Sequence, residues 1–216
     1  MSFGVQTSLW SGVHSDTEPG NAGAAFNDLR RSERTNLPGS AWIDVQRAWM
    51  RNGFDLLDGL LASDDWRAER RQMYDSVVDV PRLLRLYRAG EPVPWPALVD
   101  ARTLLSEHYR DELGEELTSI GMCLYRTGRD SVAWHGDTIG RGATDDTVVA
   151  ILSLGASRTF ALRPRGGGAS LRLVLDHGDL IVMGGSSQRT WEHAIPKTAR
   201  PIGPRISVQF RAVGVG

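Results

Sequence analysis

A series of short β-rich segments in the second half of the chain constrains the fold more than any other feature. After residue 117, runs of six to nine residues follow one another in the order SIGMCLY, TVVAILSLG, RTFALRPR, LRLVLDH, DLIVMGG, TWEHAI and RISVQFRAV. Turn-forming stretches such as RTGRD, RGGGAS and MGGSSQ separate them. Strands of this length and spacing are typical of a β-sandwich or barrel. Residues 117–213 are therefore predicted to form a β-roll core.

The first half of the chain has a different texture. Residues 1–40 are rich in Gly, Ser, Asn and charge, and they are predicted to form a loose arm. Residues 41–116 are predicted to form a helical front half, with an irregular stretch at 66–94 in which VVDVPRLLRLY is extended. No repeat or linker interrupts the chain. We therefore expect one domain, residues 1–216, of α+β class and mainly β.

Three elements are predicted within the front half. A strand is expected at AWIDVQRAWM, and the clearest helix at PALVDARTLLSEHYRDELG, begun near Pro96 and ended by Gly114. A shorter amphipathic helix is expected at GFDLLDGLLASDDW. Its predicted apolar face consists of Phe54, Leu57, Leu60 and Leu61.

The composition of the chain limits the class of protein, the compartment and the partners that we expect. Hydrophobic residues make up 41% of the chain, which is typical of a folded globule, and no apolar run is long enough to span a bilayer. Cys123 is the single cysteine, and the start of the chain lacks the pattern of a secretion signal. We expect a cytoplasmic monomer without membrane contact. The net charge of -1 gives no global signature for nucleic acid.

The tripeptide His-Gly-Asp occurs twice, at residues 135–137 and 177–179. In a strand, residues i and i+2 share a face, so either copy offers two metal ligands. A triad of two histidines and a carboxylate needs a third ligand, for which His193 is the natural candidate. The separation from His193 is 58 residues for the first copy and 16 for the second, which favours the first without excluding a hairpin. The second copy lies between two apolar runs, where Gly and Asp predict a tight turn.

The last β-rich run carries polar residues at every second position. Arg205, Ser207, Gln209 and Arg211 share one face of RISVQFR. Guanidinium groups pointing into a barrel are costly unless an anion meets them, and a small dicarboxylate beside a metal is such an anion. An edge strand with solvated arginines is the alternative.

The ordered set of motifs resembles a known family. The segments YRTGRDSVAWHGD, ILSLGASRTFALR, HGDLIVMGG, WEHAIPK and PRISVQFR look like the AlkB-type nucleic-acid dealkylating dioxygenases, over about residues 117–211. The segment VDVPRLLRLY, followed by PWPALVDA, resembles the substrate-lid segment and the following helix of the bacterial DNA-repair members. The resemblance implies a double-stranded β-helix (jelly roll) behind an N-terminal nucleotide-recognition lid. It also implies Fe(II), 2-oxoglutarate and O2 as cofactors, with ascorbate added in assays.

Residue roles follow from the same resemblance. His135, Asp137 and His193 would bind Fe(II), and Arg205 and Tyr125 would hold the distal carboxylate of 2-oxoglutarate. Ser207 would contact the keto acid, and Arg211 would be a cation close to the site. The reaction would hydroxylate a carbon attached to a base nitrogen, releasing an aldehyde, succinate and carbon dioxide from alkylated DNA, or RNA. Trp191 would wall the pocket or pack in the core.

Lid residues are predicted to contact the nucleic acid. Tyr74, Tyr87 and Trp95 are candidates for stacking on a flipped base, and Met73 or Tyr74 for a wedge into the base stack. Arg70, Arg71 and Arg82 are candidates for phosphate contacts. Each aromatic could instead belong to the core, and the many arginines of the front half could reflect GC-rich coding with solvated side chains.

Three positions depart from the best-known members of the family. Cys123 and Ser207 stand where those members have asparagines that contact the keto acid, and Ile139 stands where they have an acid that reads the exocyclic amine of the base. We hypothesise a pocket that depends less on a free amine and tolerates bulkier adducts. The chemistry leaves two alternatives open, a 2-oxoglutarate hydroxylase acting on RNA, a protein or a small molecule, and a non-catalytic jelly-roll module that holds a metal.

Overall fold

The computed structural model describes residues 24–73 and 76–215, except the side chains of residues 70–73 and 76–80. The strands of this part of the chain are β1 (Ala25–Phe26), β2 (Glu33–Asn36), β3 (Ala41–Gln46), β4 (Met50–Arg51), β5 (Arg67–Met73), β6 (Ser76–Tyr87), β7 (Ser119–Tyr125), β8 (Val132–His135), β9 (Val149–Gly155), β10 (Arg158–Pro164), β11 (Leu171–Leu175), β12 (Leu180–Gly185), β13 (Trp191–Ile195) and β14 (Arg205–Arg211). The helices are α1 (Phe54–Ala62), α2 (Pro96–His108), α3 (Arg110–Leu113) and α4 (Ser187–Thr190). Short 3-10 turns occupy Leu29–Arg31 and Arg141–Ala143.

Two antiparallel sheets face each other in a jelly roll, as predicted. The larger sheet has the strand order β2-β3-β12-β9-β14-β7-β6-β5, and the smaller has the order β11-β10-β13-β8. A separate two-stranded sheet joins β1 to β4. Apolar side chains of the two large sheets meet in one buried cluster, which includes Ile151 of β9 and Phe160 of β10.

The other face of the larger sheet is covered by helices. Alternation along β14 turns Ile206, Val208 and Phe210 toward α1 and α2, and it turns the polar residues between them toward the smaller sheet. The core on the helical side therefore fixes which face of β14 is available for chemistry. Among the described residues, no helix is both long and apolar enough to cross a membrane.

The two predicted helices are present, but the buried face of the first differs from the prediction at Phe54, Leu56 and the partly buried Leu61. Helix α2 begins at Pro96, and Gly114 ends the following short helix in a left-handed conformation. In α1 the buried side chains are Leu56, Leu57 and Leu60, whereas Phe54 is 62% exposed and stacks on His177. Phe54 is the first residue of the helix, so its ring packs on the neighbouring loop and not beneath the helix.

The front half contains the predicted helices, but the prediction of an irregular stretch at 66–94 was wrong for residues 67–73 and 76–87. Strands β5 and β6 form a hairpin, and β6 pairs with β7 so that the hairpin extends the larger sheet. The expectation that VVDVPRLLRLY is extended is confirmed within β6. The prediction of a loose arm was also wrong for residues 24–40, because β2 pairs with β3 at the far edge of the same sheet. Residues 1–23 lie outside the described residues.

The second His-Gly-Asp copy forms the predicted turn between β11 and β12. Asp179 accepts hydrogen bonds from the backbone N–H groups of Ala48 and Asp176 and from the Arg47 guanidinium. Gly178 has a φ of +83°, and a Cβ there would lie 2.2 Å from the Met50 carbonyl oxygen. This copy therefore serves the backbone and not a metal.

Candidate metal centre and co-substrate pocket

The first His-Gly-Asp copy meets His193 at the open end of the jelly roll. His135 is the last residue of β8 and pairs directly with His193 of β13, and Asp137 follows two residues later. One ligand atom from each of the three residues lies within 4.8 Å of the others. Two imidazoles and one carboxylate on one side of an ion are typical of non-haem Fe(II) sites with open coordination positions. The donor set therefore fits ferrous iron.

A hydrogen bond from His135 and the burial of His193 keep the two imidazoles in the state that a metal requires. His135 Nδ1 lies 2.8 Å from the Ala133 carbonyl oxygen, which assigns the ring proton to Nδ1 and leaves Nε2 free to coordinate. Burial lowers the pKa of His193 to about 3, with a further contribution from the neighbouring His135, so its imidazole is neutral. Both rings can therefore act as ligands at neutral pH.

Asp137 is held as a carboxylate from two directions. Burial alone would raise its pKa, but Arg211 and His193 outweigh that effect and lower it to about 2. Arg211 Nε donates to Asp137 Oδ2 at 2.7 Å, and the Asp137 backbone N–H donates to Gln188 Oε1 at 2.9 Å. The carboxylate is thus ionised and oriented. Gly136 permits this geometry, since a Cβ there would lie 2.4 Å from the Gln188 carbonyl oxygen.

A fully buried guanidinium lies further along the polar face of β14. Arg205 is 0% exposed, and its Nε donates to Ser153 Oγ at 2.9 Å. Its Nη1 and Nη2 atoms have no hydrogen-bond partner among the residues that the structure describes. Tyr125 lies opposite Arg205 in β7, and burial raises the pKa of its phenol, so it remains a neutral donor. Unsatisfied buried donors of this kind fit the carboxylate of 2-oxoglutarate.

A cavity of about 910 Å³ opens from the triad to the surface, and the fully buried Arg205 is not among the residues that line it. It runs from His135, Asp137 and His193 over the floor formed by β7 and β14 and along the β5–β6 hairpin. Its lining includes the predicted co-substrate residues Tyr125, Ser207 and Arg211. Two residues at positions that depart from the family pattern also line it, Cys123 and the 73% exposed Ile139.

The predicted nucleic-acid contacts divide into three groups. Arg82 lines the cavity, with Nη1 3.4 Å from the Ser131 carbonyl oxygen and a buried Nε that has no hydrogen-bond partner in the described part of the chain. Tyr87 was a wrong prediction, because it is 2% exposed, packs in the core under the helices and accepts a hydrogen bond from Trp95 Nε1. Tyr74 and the side chains of Arg70, Arg71 and Met73 lie outside the described residues.

Sequence reasoning missed several residues that shape the site. Gln188 and Ser153 orient Asp137 and Arg205, and Phe160 stacks near His193 with ring centroids 5.5 Å apart. Gln188 lies in MGGSSQ, which reads as a turn, and no periodic signal points to it. Trp191 proved to be a core residue, since its ring is buried between the sheets and its Nε1 donates to the Pro38 carbonyl oxygen.

Comparison with known proteins gives the family. The family described as the 2OG-Fe(II) oxygenase superfamily matches residues 62–211. The chain is 31% identical to human alpha-ketoglutarate-dependent dioxygenase alkB homolog 3 over 80% of this chain and 64% of that protein. It is 23% identical to human DNA oxidative demethylase ALKBH2 over 91% of this chain and 88% of that protein.

A solved structure supports the fold. The prolyl hydroxylase of Trichoplax adhaerens, solved with a hypoxia inducible factor peptide, superposes with a TM-score of 0.55 at 12% identity, covering 78% of this chain and 82% of that one. The chain spans less than two thirds of the length of the alkB homolog 3 proteins that it matches. Fe(II), 2-oxoglutarate and O2 are the cofactors of the matched family, and the His-Asp-His triad is in place for them. The chain therefore belongs to the 2OG-Fe(II) oxygenase superfamily and, within it, to the AlkB-type enzymes.

Proposed function

We propose that this protein removes alkyl adducts from nucleic-acid bases by oxidation, with DNA as its substrate. The main support for this proposal is the size of the cavity at the His-Asp-His triad, which is much larger than a keto acid needs. Its volume of about 910 Å³ lies at the upper end of the range for small-molecule sites. Room for a flipped base therefore remains beside the co-substrate. The names of the relatives, one a DNA oxidative demethylase, point to the same substrate class.

The residues of the site have separate tasks in this proposal. His135, Asp137 and His193 hold the metal, and Arg205 with Tyr125 and Ser207 holds the keto acid. When bound, Fe(II) and 2-oxoglutarate would activate O2, with one oxygen atom going to succinate as carbon dioxide leaves and the other hydroxylating a carbon attached to a base nitrogen, from which an aldehyde is finally released. Apolar walls at Ile151, Phe160 and Ile195 limit the access of water to this end of the cavity.

Substrate-dependent oxygen consumption tests the proposal. We expect succinate formation to be stimulated by DNA carrying 1-methyladenine, and much less by methylated RNA or free nucleosides, with undamaged DNA and the His135→Ala variant as controls. Stimulation by RNA alone would move the substrate to RNA. Full turnover of 2-oxoglutarate that no nucleic acid affects would refute nucleic-acid repair, and no turnover at all would favour a non-catalytic module.

Salt dependence tests the proposed phosphate contacts. Arg82 lines the cavity at the hairpin, and Arg70 and Arg71 are the further candidates in β5. If Arg82 binds a phosphate, Arg82→Ala should lower the slope of log affinity against log salt by about one. An unchanged slope would show that the Arg82 guanidinium serves the protein alone, through its contact with Ser131.

The exposed rim residue Ile139 bears on the choice of lesion. An isoleucine side chain cannot accept a hydrogen bond from an exocyclic amine, and this one lines the cavity at 73% exposure. We expect ethenoadenine, whose amine is closed into a ring, to be repaired about as efficiently as 1-methyladenine. A strong preference for 1-methyladenine in steady-state kinetics would contradict this expectation.

A further inference from the structure

A buried glutamine, Gln209, lies on the cavity floor beside the residues proposed to hold the co-substrate. Gln209 is 7% exposed, lines the cavity and lies on the same face of β14 as Arg205 and Ser207. Its Nε2 atom donates to Ser207 Oγ at 2.6 Å and to the Ser207 carbonyl oxygen at 3.0 Å. The residue opposite it in β7 is Gly121, and a Cβ there would come within 3.2 Å of Gln209 Oε1. The absence of a side chain at Gly121 gives the amide its space.

The chemistry of its partners fixes the orientation of this amide. The Ser207 carbonyl oxygen can only accept a hydrogen bond, so the NH2 group of Gln209, and not its oxygen, must face Ser207. The amide oxygen then faces Cys123, whose thiol donates to it at 3.9 Å. A flipped amide would place two oxygens against each other on one side and lose the thiol contact on the other.

This orientation determines what the Ser207 hydroxyl can do. Because its oxygen accepts from Gln209, the hydroxyl proton must point away from Gln209. Among the residues that the structure describes, Ser207 Oγ donates to no protein acceptor, and the side chain lines the cavity. The unpartnered Nη1 and Nη2 of Arg205 lie two residues earlier on the same face. The Ser207 hydroxyl on the cavity floor and the Arg205 guanidinium buried two residues before it therefore offer hydrogen-bond donors, which suits a ligand that has acceptors only.

We propose that Gln209 is a positioning residue that holds Ser207 as a hydrogen-bond donor toward bound 2-oxoglutarate. The inference rests on the proposed co-substrate pocket around Arg205. It assigns Gln209 a role in co-substrate affinity that acts through the Ser207 hydroxyl and not through direct contact. It also explains why a polar amide is buried on a strand whose opposite neighbour is a glycine.

A double-mutant cycle tests the inference by binding and without turnover. The dissociation constant of 2-oxoglutarate is measured by calorimetry on Mn(II)-loaded protein for the wild type, Gln209→Met, Ser207→Ala and the double variant. We expect each single variant to bind roughly tenfold more weakly, the size of one hydrogen bond to a charged acceptor. In the Ser207→Ala background, Gln209→Met should then change the dissociation constant by less than about twofold.

Controls separate this role from general packing. Gln46 is another buried glutamine of the larger sheet, at 6% exposure, and it does not line the cavity, so Gln46→Met should leave 2-oxoglutarate affinity unchanged. In turnover assays, Gln209→Met should raise KM for 2-oxoglutarate more than it lowers kcat. If Gln209→Met does not fold, Gln209→Leu enters the same cycle.

Two different results would overturn two different claims. Binding of 2-oxoglutarate by the wild type but not by Arg205→Met would support the co-substrate pocket. If in that case Gln209→Met binds 2-oxoglutarate as tightly as the wild type, or if its effect adds fully to that of Ser207→Ala, the role of Gln209 is refuted and the pocket stands. If the metal-loaded wild type does not bind 2-oxoglutarate, or Arg205→Met binds it equally well, the proposed co-substrate pocket itself fails.

Discussion

Replacing the buried arginine of the co-substrate pocket should make the protein more stable and inactive. The Arg205 guanidinium is 0% exposed and has one hydrogen bond, to Ser153, while its Nη1 and Nη2 have none. Burial lowers its pKa to about 10, and a change of that size corresponds to about 3 kcal/mol against the charged form. Because the folded pKa is depressed, this cost is fully present below pH 10 and disappears only as the pH rises above it. At neutral pH the folded protein therefore bears all of it.

Arg205→Met removes the charge and keeps most of the volume. Replacement of buried ionic groups by apolar side chains of similar size is often stabilising by about 1 to 4 kcal/mol. We expect a gain of about 2 kcal/mol without co-substrate, which for a chain of this size is a rise in Tm of about 4 to 8 °C. Thermal and urea denaturation measure it. In the presence of Mn(II), adding 2-oxoglutarate should then raise the Tm of the wild type. The same addition should leave the Tm of Mn(II)-loaded Arg205→Met unchanged.

A second buried arginine provides the matched control. Arg158 is 3% exposed, but its guanidinium donates to the carbonyl oxygens of Thr127, Asp130 and Pro196. Arg158→Met leaves these acceptors unpaired and should lower stability by about 2 kcal/mol. If Arg205→Met instead destabilises the protein as Arg158→Met does, the Arg205 guanidinium has partners within the fold and its donors are not available to bind an anion.

Three further variants test the two His-Gly-Asp copies. Asp137→Ala should abolish metal binding and lower the metal-free stability by about 3 kcal/mol, because the largely buried Arg211 is left without its carboxylate; equal urea unfolding of variant and wild type would contradict the ion pair. Gly178→Ala should cost at least about 2 kcal/mol, since a Cβ would collide with the Met50 carbonyl oxygen, while calorimetry should give unchanged metal affinity. Asp179→Ala should likewise destabilise the fold by about 2 kcal/mol without loss of the metal, and a large drop in metal affinity would reopen the second copy as a site.

The meeting of three potential metal ligands could be predicted from sequence because it depends on strand alternation and on a scarcity of histidines. His135 and Asp137 share a face by period two, and His193 was the natural third ligand among five histidines. The same alternation predicted the polar face of β14. These inferences succeed because backbone geometry alone dictates the direction of each side chain.

The hairpin could not be predicted in the same way. Strand β5 has the sequence RAERRQM, which contains no apolar alternation, and it forms a strand only because β6 pairs with it at the edge of the sheet. In β6, Leu83 and Leu84 are adjacent and apolar, so the sequence does not reveal which face is buried. In the structure, Leu83 and Tyr87 face the helices, whereas Arg82 and Leu84 face the cavity. Because Tyr87 belongs to the set that faces the helices, it was a wrong choice for base stacking.

The two copies of one tripeptide show why a local motif is insufficient evidence for a metal site. Each has an aspartate two residues after a histidine, and in each the aspartate is almost completely buried. Asp179 satisfies its oxygens with backbone N–H groups and Arg47, so it has little capacity left for an ion. Asp137 keeps one oxygen on Arg211 and has the other available beside two imidazoles. The difference arises from the pairing partner, since β13 brings His193 opposite His135, whereas the ring of His177 is stacked against Phe54 and accepts from the Gly155 N–H. A carboxylate becomes a metal ligand when the surrounding fold leaves its lone pairs unsatisfied, and that is a property of the sheet and not of three residues.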